Sequence, residues 1–433
     1  MNKPFPEHGF FWILLALLSV FYFSTLGDIP LHPDESTQIF MSEDFSRLVQ
    51  DPLSMTWSPG DALGAKSRLR LLDAPLTRYL IGLAREMTGT EDLNGEWDWG
   101  QTWSENRQND ALPTPRQLVV SRGALTLLLP ASLTLLYFTI TRYLGKTLGI
   151  VGTLFLGLHP LTLLHARRAM AEGVILFGVS FFLWSIRFRL HKPWVVGLAA
   201  AAAYNAKQST AALIPLGLLG VCWGTQNGMN LKERLKNALL FLAPVLILTL
   251  ALNPVMWTSP LETFPASWRM RLVFTENQIQ TVSNEVPAHV LDTLPKKVLS
   301  LVNNLYLNPP AVADVGNYAA QLEEPTRDYL SKTYTTWGRA LVPGGLLLTL
   351  TLLGGYVVVR HFSSTNPRSA RELALITLST LAQGAAVLVF VPLPWQRYVM
   401  PLLPMVAFWV TAGLQPLFES LGLISVPYQN SPS

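Results

Sequence analysis

Long apolar runs recur along the chain and alternate with segments rich in charged and polar residues. A helix that crosses a bilayer needs roughly 20 mostly apolar residues. The pattern therefore predicts an all-α polytopic membrane protein with about ten spans, two of them short. The predicted spans are Phe10–Leu26 and the segments 117–140, 147–164, 171–188, 193–206, 208–224, 237–254, 341–359, 371–391 and 398–418.

The run Phe10–Leu26 has two interpretations. It could be the apolar part of a signal peptide, but it is long and no small-x-small cleavage pattern follows it. We interpret it as an uncleaved first span.

Loops rich in Lys and Arg fix the expected orientation. When about ten spans alternate across the bilayer, four such loops fall on one side, which the positive-inside rule makes cytoplasmic. The loops are Thr141–Lys146, Arg187–Lys192, Lys232–Lys236 and Arg360–Arg371. The opposite, extracytoplasmic side receives two long segments, 28–116 and 255–340.

This orientation predicts six parts. A first transmembrane helix (1–27) precedes the first outer segment, and a helix bundle (117–254) precedes the second. C-terminal helices (341–420) and a cytoplasmic tail (421–433) close the chain, with Pro427–Ser433 expected to be disordered. Within the outer segments, Leu76–Met87 and His289–Tyr306 have apolar residues at helical spacing, which is typical of helices lying on a bilayer surface. Ser36–Val49 is also expected to be helical.

Three tryptophans, Trp97, Trp99 and Trp103, lie in an acidic stretch of the first outer segment that is rich in Gly and Asn. We expect a loop there. Interfacial anchoring is the interpretation we favour for these side chains, with sugar stacking as the alternative.

Composition agrees with a membrane protein and excludes other classes. Of 433 residues, 50% are hydrophobic and 14% are charged, against about 25% charged in soluble domains. The net charge of +4 is too small to indicate nucleic-acid binding. A single cysteine, Cys222, cannot form an internal disulfide and gives no cysteine metal pattern.

Two adjacent carboxylates follow the first span in the segment His32–Glu35, which reads His-Pro-Asp-Glu. Their mutual repulsion should raise one pKa, and such a carboxylate is a candidate general base for a hydroxyl group. The alternative is a helix N-terminus with Asp34 as its cap and Glu35 in the first turn.

Cations recur in short outer turns, where the positive-inside rule does not expect them. Arg167 and Arg168 precede Glu172, so a structural Arg168–Glu172 pair at i,i+4 spacing competes with anion binding. Lys207 could contact a phosphate or extend to the interface. Arg397 enters the last span from the outer side.

A further outer motif, Asp73–Tyr79, contains Asp73 and Arg78 and is typical of a loop that enters a helix near Pro75. Carboxylates and cations thus converge on the outer mouth of a helix bundle. Because arginine binds phosphate with a planar fork, a lipid-linked phosphate is the ligand these residues suggest. They point to a transfer reaction from a polyprenyl-phosphate donor.

The layout and motifs resemble the GT-C membrane glycosyltransferases, in the superfamily of protein O-mannosyltransferases and the lipid A aminoarabinose transferase. Asp34-Glu35 is similar to the family's Asp-Glu motif, and Arg397-Tyr398 to its Arg-Tyr before a final Pro-containing span. The family's Arg-containing turn is similar to Arg167-Arg168, and its later outer Lys to Lys207. Asp73–Arg78 resembles a family His-Pro-Pro-Leu-x-Lys segment, but Asp73 replaces the histidine.

The resemblance implies that a sugar moves from a polyprenyl phosphate to an acceptor hydroxyl, with inversion at the anomeric carbon. It implies Asp34 as the base or its close partner, tuned by Glu35. Arg167, Arg168, Lys207 and Arg397 would bind the donor phosphate, supported by Asp73, Arg78, Glu172 and Tyr398. The expected location is a bacterial cytoplasmic membrane, with membrane lipids as surroundings and no nucleic-acid partner.

Several alternatives stay open. A transporter or flippase of a lipid-linked sugar would use the same cations without the base, and a non-catalytic scaffold would use neither. The acceptor could be a protein, a lipid or a glycan. No metal pattern is visible in the sequence, but a divalent cation bound by carboxylates is not excluded.

Overall fold

The protein is described from a computed structural model, which covers residues 8–223, 229–313, 318–361 and 367–424. The predicted disorder of Pro427–Ser433 lies outside these residues. The described residues form helices joined by turns and loops, and they contain no β-strand. An all-α fold is therefore confirmed.

The first half of the chain contains one apolar helix, then a set of short helices, and then the first helices of the bundle. The helices are α1 (Gly9–Ser24), α2 (Pro33–Phe40), α3 (Asp44–Gln50), α4 (Ala65–Leu72), α5 (Leu76–Thr88), α6 (Trp103–Gln108), α7 (Pro115–Thr126), α8 (Leu128–Leu144), α9 (Lys146–Leu158), α10 (Pro160–His165), α11 (Ala171–Arg189), α12 (Pro193–Ala206) and α13 (Leu213–Trp223).

The second half adds further bundle helices and the second outer segment. Its helices are α14 (Leu231–Leu252), α15 (Pro260–Glu285), α16 (Leu294–Val302), α17 (Glu323–Leu330), α18 (Leu341–His361), α19 (Pro367–Phe390) and α20 (Leu403–Ser420). A 3₁₀ segment, Gln396–Leu402, leads into α20.

Every predicted span coincides with a helix, although not all of these helices are long. Six helices in the described residues are long and apolar enough to cross a membrane, and three shorter apolar helices accompany them. The six are Pro115–Leu144, Ala171–Arg189, Leu231–Leu252, Leu341–Arg360, Pro367–Phe390 and Gln396–Ser420. The chain is therefore an integral membrane protein, and the prediction of about ten spans stays a prediction.

Close helix packing in the bundle depends on small residues. A Cβ added at Gly354 of α18 would clash with the backbone oxygen of Trp409, and one at Gly413 of α20 with that of Leu350. Small residues let helix backbones approach this closely, which is a common way for helices to associate in lipid.

One end of the bundle, here called the basic end, carries a buried ionic network. Glu372 is fully buried and accepts hydrogen bonds from Arg187 at 2.5 Å, Arg368 at 3.0 Å and Tyr143 at 3.2 Å. These residues come from three of the four Lys/Arg-rich loops and their flanking helices. The structure thus brings those loops together at one end, as the orientation argument requires.

The outer segments are more helical than predicted. A 26-residue helix, α15, occupies much of the second segment, where the apolar pattern gave no such prediction. The helix expected over Ser36–Val49 is split by a 3₁₀ turn at Met41–Glu43. The helix expected from Leu76 is present as α5, with Pro75 at its N-cap.

Candidate functional site

Helix α2 begins at the segment His32–Glu35, and the sequence fixes how it begins. Pro33 occupies the first helical position, where a missing N–H costs nothing. The N-cap is His32, whose Nδ1 accepts from the Asp34 backbone N–H at 3.1 Å. The expectation that Asp34 caps the helix is therefore wrong, and the Asp34 carboxylate points elsewhere.

Glu35 lies in a fully buried network beneath this helix start. Its carboxylate accepts from Arg122 Nε and Nη2, both at 2.7 Å, from the Ala169 N–H at 2.8 Å and from the His32 N–H at 3.0 Å. Burial alone would raise the pKa of Glu35, but the charge and hydrogen bonds of Arg122 bring that pKa below its ordinary value. Glu35 is not the carboxylate of raised pKa that the adjacent acids suggested.

Asp34 faces the opposite way, with its side chain 29% exposed. Its Oδ2 contacts Arg397 Nη1 and lies 4.0 Å from His32 Nδ1. The His32 ring is buried, and burial, followed by the charges of Arg168 and Arg397, holds its pKa well below the ordinary value. A lowered pKa favours the neutral ring, and the hydrogen bond from the Asp34 N–H places the remaining ring proton on Nε2.

Arg397 reaches Asp34 from the 3₁₀ segment before α20. Its guanidinium carbon lies 4.9 Å from the Trp395 ring centroid and 5.9 Å from that of Tyr398. Stacking on two aromatic rings fixes the direction of the guanidinium and suits the weak hydration of that group.

Lys207 lies beside the same tyrosine. Its Nζ is 5.6 Å from the Tyr398 ring centroid and donates to Glu172 Oε1 at 3.0 Å. Burial would lower the pKa of Lys207, but the Glu172 carboxylate raises it above the ordinary value. Lys207 thus stays charged, and the partner observed for Glu172 is this lysine.

The two arginines of the α10–α11 turn point in different directions. Arg168 donates to the Pro30 carbonyl at 3.2 Å and to the Val312 carbonyl at 2.8 Å, and its charge is near enough to act on His32. Arg167 donates to the Tyr22 carbonyl at 3.2 Å and to Thr25 Oγ1 at 2.5 Å. Arg168 borders the cluster around Asp34, whereas Arg167 turns toward α1.

Arg78 Nη1 donates to the Asp73 backbone carbonyl at 3.3 Å, but the side chains of the two residues have different ionic partners. Arg78 Nε lies 3.1 Å from Asp44 Oδ2, in a buried group that also holds Arg70. Asp73 Oδ1 instead accepts from Arg271 Nη2 at 3.0 Å. The structure therefore places Arg78 inside the first outer segment and leaves Asp73 facing α15.

Arg271 is a site residue that the sequence reasoning missed. It lies close enough to Lys207 for the two charges to repel, so the second outer segment contributes a cation to the cluster. Arg122 was also missed, although an arginine inside a predicted span is itself a signal of function or buried pairing.

Three carboxylate–cation pairs thus meet at this end of the bundle: Asp34–Arg397, Glu172–Lys207 and Asp73–Arg271. We call this group the paired cluster. Within the residues that the structure describes, no three His, Cys, Asp or Glu side chains come together as a metal site.

The bundle and its two outer segments have the GT-C fold, which is known from membrane glycosyltransferases. Two solved structures carry this conclusion. ArnT from Cupriavidus metallidurans, bound to undecaprenyl phosphate, matches 96% of this chain with 14% identity and a TM-score of 0.50. The apo oligosaccharyltransferase of Archaeoglobus fulgidus matches 98% with 10% identity and a TM-score of 0.52. The GT-C fold is therefore confirmed.

The matches also have limits of length. The chain spans 62% of the ArnT chain and 52% of the oligosaccharyltransferase chain. No family model matches the sequence, and no curated protein matches it.

Proposed function

We propose that the protein is a glycosyltransferase that moves a monosaccharide from a polyprenyl-phosphate donor to an acceptor hydroxyl on the extracytoplasmic face, with inversion. The observation that carries this proposal is the contact between the partly exposed Asp34 carboxylate and Arg397, beside Lys207. A candidate base and candidate phosphate-binding cations then lie together at the outer end of the bundle. The GT-C fold supports the same transfer of a sugar from a lipid-linked donor.

The cations supply a site for the leaving phosphate. Arg397, Lys207 and Arg271 each have a carboxylate partner that a phosphate could replace or share. As the anomeric C–O bond breaks, its electron pair passes to the phosphate oxygen. Cations held in place before the reaction stabilise that growing charge more in the transition state than in the ground state.

Asp34 acts on the acceptor. The acceptor hydroxyl gives its proton to the Asp34 carboxylate, and its oxygen bonds to the anomeric carbon on the face opposite the phosphate. Glu35 does not exchange protons in this scheme. It holds the start of α2 against Arg122 and the Ala169 turn, and so fixes where Asp34 points.

Arg167 and Arg78 have supporting roles in this proposal, because Arg167 donates to a backbone oxygen of α1 and Arg78 pairs with Asp44. Arg168 donates to the Pro30 carbonyl, and its positive charge acts on the nearby His32 ring. Tyr398 orients both Arg397 and Lys207 through ring contacts.

The test compares wild type with Asp34→Asn in detergent, using radiolabelled polyprenyl-phosphate monosaccharides and crude membranes as the source of acceptor. Loss of a general base should slow consumption of the donor by about 10²–10⁴-fold. Asp28→Asn is the matched control, because Asp28 is a partly exposed aspartate in the same outer segment, paired with Lys332 at 2.5 Å. It should keep wild-type turnover.

Other outcomes count against the proposal. Wild-type turnover by folded Asp34→Asn would remove Asp34 from the chemistry. Tight binding of a donor without its consumption would support a carrier or flippase.

A further inference from the structure

The tryptophan-rich stretch of the first outer segment forms an aromatic cluster beside the candidate base. Trp97 is 2% exposed and its ring lies 5.5 Å from Trp103 and 6.5 Å from Tyr318 of the second outer segment, in edge-to-face contacts. An interfacial anchor must reach lipid, so that interpretation is wrong for Trp97. The cluster instead forms a supporting surface, here called the base, under the remaining tryptophan, Trp99.

Trp99 lies on this base and is 38% exposed. Its ring is in edge-to-face contact with Trp97 at 6.2 Å, Tyr318 at 5.8 Å and His32 at 6.4 Å. Three ring contacts hold the indole in one orientation while part of its surface stays open.

The loop around Trp99 is fixed by one buried amide. Asn106 is fully buried, and its Nδ2 donates to the carbonyls of Asp98 at 2.9 Å and Thr102 at 3.1 Å. Its Oδ1 accepts from the Asp98 N–H at 2.8 Å. A ligand that stacks on Trp99 therefore does not have to order this loop, which reduces the entropic cost of binding.

The position of Trp99 relates it to the reacting hydroxyl. Trp99 and Asp34 are both partly exposed, and the buried His32 ring lies between them, 4.0 Å from the Asp34 carboxylate through Nδ1. A molecule that presents a hydroxyl to Asp34 can therefore extend over the Trp99 ring.

We propose that Trp99 is an acceptor-binding residue and that the acceptor is a carbohydrate. This inference rests on the proposed function. An indole surface binds the C–H face of a sugar ring, whereas the edges of the sugar need hydrogen-bonding partners. The exposed side chains of Asp98 and Asn109, with Gln101 hydrogen-bonded to Asn109 at 2.8 Å, supply such partners next to Trp99.

The first experiment measures transfer from a labelled polyprenyl-phosphate sugar to soluble di- to tetrasaccharides or to Ser/Thr-containing peptides, with the full-length protein in detergent. Saccharides should accept the sugar and peptides should not. Trp99→Ala should raise the saccharide concentration for half-maximal transfer roughly tenfold, and Trp99→Phe about threefold or less. Trp194→Ala, at another exposed tryptophan, should leave this concentration unchanged.

The second experiment separates this inference from the proposed function. Saturation-transfer NMR with the same saccharides and no donor should show binding to wild type that Trp99→Ala weakens, while binding of undecaprenyl phosphate confirms that the variant is folded. If no donor is consumed but this pattern holds, the proposed transfer fails and the carbohydrate site stands. Transfer to peptides that Trp99→Ala does not affect, or saccharide binding that Trp99→Ala leaves unchanged, would overturn the inference.

Discussion

Replacing Glu35 by Gln should destabilise the protein strongly, because Glu35 neutralises a buried arginine. Its carboxylate accepts four hydrogen bonds in a fully buried setting, two of them from Arg122. Gln keeps the shape of Glu but loses its negative charge. Its amide N–H groups would also face groups that are themselves donors, such as the Arg122 guanidinium. Removing one partner of a buried ion pair typically costs about 3–5 kcal/mol.

Glu105 provides a matched control for this substitution. Both residues occupy the third helical position of a capping box, Glu35 in α2 and Glu105 in α6. Glu105 is solvent-exposed and its bonds go to Thr102. Glu105→Gln therefore tests the loss of a capping carboxylate without the loss of a buried pair.

Thermal unfolding in detergent, followed by tryptophan fluorescence, measures the difference. The midpoint of Glu35→Gln should fall by about 3–5 °C, whereas Glu105→Gln should unfold close to the wild-type temperature. Equal midpoints for the two variants would refute the reasoning, since the Arg122 pair would then contribute nothing beyond the cap.

Three further predictions follow from the charged groups. Glu372→Gln should also lower the unfolding midpoint, because Arg187 would lose its buried carboxylate; an unchanged midpoint would contradict this. If the proposed donor site is correct, Arg271→Ala should weaken binding of a polyprenyl phosphate about tenfold by losing one charge-assisted contact, and retained affinity would remove Arg271 from the site. Stability should fall as the pH drops below about 6.5, since His32 takes up a proton only when unfolded, and fall again below about 4.5 as Glu35 loses its advantage; a flat midpoint between pH 7 and pH 4 would contradict both shifts.

The sequence predicts the bundle well because a membrane span depends on the length of an apolar run, which can be seen directly along the chain. Apolar length alone identifies α11 and α14, and the Lys/Arg bias identifies the loops that meet around Glu372. The position of α15 was not predicted, because its apolar and polar residues are mixed around the helix and form no single apolar face.

The proximity of the charged groups was predicted better than their pairing. Asp34, Lys207 and Arg397 lie together, as their common sidedness suggested. Whether an arginine faces a cluster or the helix behind it depends on the rotation of the turn, and so Arg167 and Arg168 could not be told apart from sequence.

Distant partners were the part that sequence reasoning could not reach. The approach of Arg271 to Asp73, 198 residues away along the chain, follows from how α15 packs on α4. No local pattern contains that information.

The contact between Asp34 and Arg397 has a consequence for when an acceptor can react. While Arg397 holds the carboxylate, Asp34 is committed to an ion pair, and in the proposed reaction a donor phosphate competes for the same guanidinium. Donor binding would therefore release Asp34 to act as a base. An acceptor bound before the donor would meet a carboxylate still occupied by its arginine, so its hydroxyl would become reactive only after the donor has bound.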